Sequence, residues 1–185
     1  MTRRKPVTKL FSYSEEVLSA YLNKSRIIFL FEEIEDPIAQ EVNRRLVSFD
    51  SQNHKHITLF INSPGGSVFA GLSIVDTMNF IKSPITTIII GRASSMASII
   101  SISGKKRLMT ENSWWMSHPP RIFNEDYLKF TKDNVDAMER LDNQLNEIYK
   151  RYINLTDKDW DKMNNGELWL NAEECFKRKI VDNII

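Results

Sequence analysis

Short apolar runs alternate with amphipathic stretches along most of this chain, and the alternation itself predicts the fold. Arg26-Ile-Ile-Phe-Leu-Phe31, His56-Ile-Thr-Leu-Phe-Ile61 and Ile85-Thr-Thr-Ile-Ile-Ile90 are compact runs of β-branched and aromatic residues, and each predicts a strand. The first and third are apolar enough to predict burial on both faces. Between them the period changes to that of a helix. Ile38, Val42, Leu46 and Phe49 recur after Asp36-Pro37, a cap followed by proline at the first helical position. Val68, Leu72, Val75, Met78 and Ile81 mark a second amphipathic helix, closed by Lys82-Ser-Pro84. Upstream, Ser12-Tyr-Ser-Glu15 is a capping box that predicts a helix to about Lys24.

Downstream, Gly91-Arg-Ala-Ser-Ser95 predicts a turn into a short apolar helix from Met96 to Ile102, followed by short strands at Arg107–Met109 and Trp114–Ser117. Asn124-Glu-Asp126 caps a long helix striped by Leu128, Val135, Met138, Leu141, Leu145, Ile148 and Tyr152. Residues 124–152 would extend about 42 Å at ~1.5 Å per residue, more than one compact domain of this size covers. Thr156 caps a helix through Trp160, Asn171 caps one over Ala172–Lys179, and Ile180–Ile185 predicts a final strand. Strands separated by helices imply right-handed crossovers and a largely parallel sheet in one α/β domain spanning residues 1–185.

Composition narrows the partners. The 185 residues carry 25 Lys+Arg against 24 Asp+Glu, a net charge of +1, which leaves no electrostatic footprint for nucleic acid or an anionic membrane. A lone Cys175 excludes an internal disulfide and a cysteine zinc cluster and suits a reducing compartment. No apolar stretch reaches the ~18 residues that span a bilayer, and Met1–Lys9 lacks the apolar run of a secretory signal, so a cytoplasmic protein is expected. Nothing in the sequence asks for a metal or a cofactor.

Two turns join a predicted strand to a helix through small residues: Asn62-Ser-Pro-Gly-Gly66 and Gly91-Arg-Ala-Ser-Ser95-Met96. In a parallel sheet both lie at the carboxyl ends of strands, where open α/β folds bind ligands, so they should be neighbours. A serine at such a turn is raised at a helix start, and a carbonyl held between the backbone N–H groups of Gly66 and Met96 would occupy an oxyanion hole. Such a serine needs a base. His54 and His56 lie among Gln, Asn and Lys, whereas His118 ends an alternating strand and is the candidate. A second reading of the same residues is a glycine turn set by backbone geometry and a hydrogen-bonded histidine. The serine turn is not the G-x-S-x-G elbow of the α/β-hydrolases.

The residues Ile61-Asn-Ser-Pro-Gly-Gly-Ser-Val68, Asp76-Thr-Met-Asn-Phe-Ile-Lys82, Gly91-Arg-Ala-Ser-Ser-Met96 and Trp115-Met-Ser-His118-Pro resemble the proteolytic subunits of the Clp ATP-dependent protease family, ClpP-like peptidases, from about Ile27 to Ile185. The resemblance implies a crotonase-like spiral of βαβ units with a projecting handle helix over residues 124–152. It implies a serine endopeptidase of unfolded or short polypeptides, assembled as a homo-oligomeric ring, about seven subunits by analogy, and served by a AAA+ unfoldase. It places the nucleophile at Ser95, the base at His118 and the oxyanion donors at Gly66 and Met96. The family acid precedes an aromatic-Leu-Ser-Ala pattern by two positions; here Trp169-Leu-Asn-Ala172 places it at Glu167, with Asp161 as the alternative. This chain departs from the family in that glutamate, in Pro119-Pro-Arg-Ile-Phe-Asn124 where the family has a glycine-rich strand, and in a divergent segment over residues 1–21. Competing expectations are a ring subunit without turnover, a crotonase-type acyl-CoA enzyme, and a Ser–Lys peptidase using Lys105 or Lys106.

Overall fold

The computed structural model describes residues 15–119 and 132–185. The basic arm, the Ser12 cap and the start of the long helix lie outside the described residues. A sheet forms the centre, with β1 (Ile27–Leu30), β2 (Ile57–Ser63), β3 (Ile85–Ser94), β4 (Lys106–Met109) and β7 (Asn183–Ile184) side by side and all parallel. Helices α2 (Asp36–Gln52), α3 (Val68–Phe80) and α4 (Met96–Ile102) make the crossovers, after an opening helix α1 (Glu15–Ser25). The predicted α/β alternation and parallel sheet are therefore present in the order the periodicity dictates. Val42, Leu46 and Phe49 of α2 and Ile74, Val75 and Met78 of α3 are buried with Leu59, Ile61 and Ile89 of the sheet in one core.

Four details differ from expectation, each for a local reason. The α2 cap is Glu35 with Asp36 already helical, one step earlier than the Asp-Pro signal suggests. Strand β1 is the sheet edge and buries only alternate residues: Phe29 and Phe31 face outward, Phe29 stacking on Phe60 with ring centroids 5.4 Å apart. It is thus not covered on both faces. Strand β3 does not end at Ile90, because Gly91 at φ 83° lets the chain swing while remaining extended to Ser94. Its first half then pairs with β4 and its second half, Arg92–Ser94, with β5 (Trp114–Ser117). The final strand shrinks to β7, with Ile180 and Val181 buried ahead of it.

One strand carries no expectation at all. β6 (Leu168–Asn171) runs antiparallel to β5, pairing Trp114 with Asn171 and Ser117 with Leu168. Its period-2 pattern is only four residues long, with Leu168 and Leu170 inward and Trp169 outward. It matters because it brings the C-terminal segment alongside the strand that leads into His118.

The long helix is described as α5 (Lys132–Tyr152). It buries Leu145 and Tyr149, whereas Val135 is 46% exposed, so the helix is anchored by its C-terminal end and leaves the body at its N-terminal end. Behind it, Thr156 and Asp159 form a full capping box on α6 (Asp157–Asn165), and Asn171 with Glu174 another on α7 (Ala172–Lys177). The capping carboxylate Asp159 also accepts two charged hydrogen bonds from Arg178, both at 2.9 Å, and is almost wholly buried. This pair pins α6 to the end of α7.

Those bonds from Arg178, joined by the ones from Thr156 and opposed by burial, hold the Asp159 carboxyl down to about 2. A carboxyl depressed in the folded state stabilises above its unfolded value near pH 4 and loses that contribution as pH falls toward its folded value. The chain should therefore lose on the order of 2 kcal/mol from this group between about pH 4 and pH 2. Asp159→Asn should lower the urea midpoint at pH 7 and flatten this acid loss. An unchanged midpoint and an unchanged acid profile would contradict the assignment.

Candidate active site

The turn Asn62-Ser-Pro-Gly-Gly66 is built by its own polar atoms. Ser63 Oγ donates to the Glu32 carbonyl at 2.6 Å and accepts the Gly65 N–H at 3.2 Å, while Asn62 Oδ1 accepts the Arg92 N–H at 3.3 Å. Gly65 then adopts φ 94° and lies directly on the serine turn: a Cβ there would sit 2.6 Å from the Ser94 carbonyl oxygen, 2.7 Å from Ser95 Cβ and 2.9 Å from the Met96 nitrogen. The two strand-to-helix turns are therefore in contact, as the parallel topology predicts.

Ser95 caps α4 with φ 54° and ψ −126°, a conformation outside the ordinary wells of an L-residue that costs about 1–3 kcal/mol. The strain is held from both sides. Its N–H donates to the Met116 carbonyl at 2.8 Å, and its carbonyl accepts the Ser98 N–H at 2.9 Å and Ser98 Oγ at 2.5 Å. The side chain is left half-exposed, and its Oγ makes no hydrogen bond among the described residues.

Gly66 pairs with Ile34 as an isolated parallel bridge, in which Ile34 bonds to the Gly65 carbonyl and the Ser67 N–H. In that pattern the N–H of Gly66 itself points away from Ile34. Met96 opens α4, so its N–H has no carbonyl four residues back. Gly66 and Met96, the two donors the sequence suggests for an oxyanion hole, thus belong to the two turns that meet at Gly65.

His118 follows the last residue of β5 and is half-buried. Its Nδ1 lies 2.6 Å from the Pro119 carbonyl, which can only accept, so Nδ1 carries the hydrogen and Nε2 of the neutral ring is the free acceptor. Ser95 and His118 line one small cavity of about 30 Å³. Its walls come from Val68, Met96, Ile99, Pro119, Leu145, Tyr149 and Met163, and its polar rim from Asp142, Asn146 and Asn164. No hydrogen bond joins Ser95 to His118 among the described residues, a looseness common in unliganded sites.

The Clp protease profile matches residues 12–185. The chain belongs to the Clp protease family. It is 37% identical over 174 residues to an ATP-dependent Clp protease proteolytic subunit of Leuconostoc citreum, covering 91% of this chain and 86% of that one. Proteins of the same description from Streptococcus mutans and Carsonella ruddii are 38% and 36% identical, covering 89% and 88% of this chain and 86% and 84% of theirs. The resemblance read from the glycine and serine turns is thereby confirmed over nearly the whole Clp-family chain.

The remaining candidates separate by position. Glu167 accepts the indole N–H of Trp169 at 2.9 Å and does not line the cavity. It does lie one step beyond the last β5–β6 pair: Ser117 faces Leu168, so the next pair in register is His118 with Glu167. Asp161 is exposed on α6 and accepts from Asn165 at 2.9 Å along its own helix. Lys106 pairs with Thr86 near the start of β3, about 30 Å of extended chain from Ser95 at ~3.3 Å per residue, too far for a Ser–Lys arrangement with Lys105 or Lys106. His54 is exposed and bonds Asp50 at 2.9 Å, and His56 is exposed. Among the described residues no group of His, Cys, Asp or Glu side chains could hold a metal ion.

Sequence reasoning overlooks the hydroxyls beneath the site. Tyr149 falls outside the predicted stripe of α5 yet is fully enclosed, and Ser98 and Ser117 meet its hydroxyl at 2.6 and 2.7 Å. Ser94 differs: its Oγ is buried with no partner among the described residues.

Two substitutions test this geometry. Gly65→Ala should cost about 1–3 kcal/mol from overpacking, with a further penalty from its φ, and should disorder the serine turn. Ser94→Ala removes an unsatisfied buried hydroxyl and should leave stability unchanged or slightly raised. Denaturant melts of the two variants check both; a Gly65→Ala chain as stable as the parent would refute the contact.

Proposed function

We propose that the chain is a serine endopeptidase acting on unfolded or short polypeptides, with Ser95 as nucleophile, His118 as base, Gly66 and Met96 as oxyanion donors and Glu167 as the acid that orients His118. The observation that carries this reading is the contact of the glycine turn with the strained Ser95 turn, beside the ring of His118. Ser95 Oγ attacks the peptide carbonyl as His118 Nε2 takes its proton. The oxyanion that forms is received by the two backbone N–H groups. The tetrahedral intermediate expels the amine, which leaves with the proton from His118, and a water deprotonated by the same nitrogen then releases the acyl group and restores Ser95. An acyl-CoA enzyme of related fold needs no Ser–His pair and leaves their shared cavity without a use.

Support for Glu167 is its register. Residues directly opposite in an antiparallel pair project from the same face with Cβ atoms about 4.5–5.5 Å apart. In the working arrangement the Glu167 carboxylate takes over the Nδ1 hydrogen that Pro119 now accepts, and stabilises the imidazolium.

A homo-oligomeric ring of about seven subunits with a AAA+ unfoldase as partner belongs to the same proposal. Its support is the outer stripe of α5, where Val135 is exposed and Met138 and Leu141 are only partly covered. The relatives are described as subunits of an ATP-dependent protease.

A fluorophosphonate probe should label the parent chain and not Ser95→Ala. Glu167→Gln should fold normally and lose about 10³–10⁴ in kcat, while Asp161→Asn stays near parent activity. If Asp161→Asn alone abolished turnover, Asp161 would be the acid. Light scattering at micromolar concentration should give a mass several times 21.6 kDa, and a monomer would defeat the ring.

A further inference from the structure

Beneath Ser95 lies a chain of hydroxyls with one permitted direction. Ser98 Oγ bonds to the Ser95 carbonyl, which can only accept, so the single Ser98 proton is committed there. In the 2.6 Å contact between Ser98 Oγ and Tyr149 Oη the tyrosine must therefore donate. That commits the only proton of Tyr149, so in the 2.7 Å contact beyond it Ser117 donates to Tyr149. The order Ser117→Tyr149→Ser98→Ser95 carbonyl is fixed by exclusion.

Every member is enclosed: Ser98 and Ser117 are 0% exposed and Tyr149 4%. Burying three hydroxyls is tolerable because each is satisfied, and any break strands an unpaired polar group. The Trp115 ring meets Tyr149 edge-on at 6.0 Å and holds the phenol in place. The two ends of the relay are what give it a use. One end grips the carbonyl of the strained nucleophile residue, and the other is Ser117, the residue immediately before His118.

We propose that Tyr149 is a positioning residue for the reaction, tying α5 to the backbone of Ser95 and to the strand that presents His118, so that nucleophile and base keep their mutual geometry. It touches neither the scissile bond nor a transferred proton. The proposal rests on the peptidase reading above, because positioning has an effect only if Ser95 is an activated nucleophile.

The test uses Tyr149→Phe, Ser98→Ala and their double variant in the full-length chain. The readouts are the second-order rate of fluorophosphonate labelling, kcat and KM on a short fluorogenic peptide, and the melting temperature. Misplacement of reacting groups by fractions of an ångström to an ångström costs up to about 10²-fold, so each single variant should lose about tenfold or more in labelling rate and in kcat, with KM within about twofold. Because one relay is broken in either case, the double variant should be no slower than the slower single one. Tyr149→Phe labelling at the parent rate would overturn the proposal alone. So would a loss that vanishes once rates are corrected for the folded fraction, since that is a purely structural role. If the parent chain is not labelled and matches Ser95→Ala, the peptidase reading falls and this proposal with it. Should Tyr149→Phe fail to fold, Ser98→Ala, which keeps the backbone bond from Ser98 N–H to Ser95, decides by the same readouts.

Discussion

The contact between Gly65 and the Ser94–Met96 backbone is the constraint on which the rest of the site depends. Two strand ends of a parallel sheet are brought together by topology, but at a spacing that normally leaves room for side chains. Here there is none, and the absent Cβ of Gly65 is what allows the turns to touch. The adjoining strain of Ser95 is sustained because both its backbone groups are hydrogen-bonded to rigid neighbours. A strained residue persists only where its surroundings over-determine it, and this one is held by β5, by α4 and by the glycine turn together.

Much of this was legible in the sequence because the signals are local. Strand and helix periods in residues 26–117 predict the largely parallel sheet, and small residues at Gly65, Gly66 and Gly91 mark where backbones approach. His118 is found by elimination among only three histidines. What stayed hidden is what depends on pairing between distant segments. β6 is too short to declare itself by period, yet its antiparallel register with β5 ends at Ser117 and Leu168, one step before His118 and Glu167. Tyr149 is hidden for a related reason: it is a polar-tipped aromatic one position away from the Ile148 stripe, and only the location of Ser98 and Ser117 turns it inward. The two-faced burial expected for β1 failed because composition alone does not reveal that a strand is the edge of its sheet.

The site therefore has two layers with different physics. Above are the groups that face the cavity, kept loosely polar and partly solvated so that a substrate can displace water from them. Below are Trp115, Ser98 and Ser117, held together through Tyr149, which also lines the cavity from beneath, and each hydroxyl proton there has a single assigned acceptor. Hydrophobic packing alone would hold these elements together but would tolerate small slides of α5 against α4. Directional hydrogen bonds in a low-dielectric interior penalise such slides sharply. Toward the opposite end of α5, Val135 is exposed, in line with an element anchored at the site.

A glutamate as the acid of the proposed mechanism can be understood in the same terms. Cβ atoms opposite one another in an antiparallel pair are already about 5 Å apart, so an aspartate reaches the neighbouring ring with little torsional choice. A glutamate has one more rotatable bond and can exchange one partner for another. One is the Trp169 indole N–H, which it now holds, and the other in the proposed mechanism is His118 Nδ1. While Glu167 is turned toward the indole, the Pro119 carbonyl keeps the imidazole in the tautomer that catalysis needs. The proline carbonyl thus preserves the donor–acceptor sense of the ring, and the carboxylate is required only when positive charge develops on it, since a neutral carbonyl stabilises imidazolium far less than an anion does.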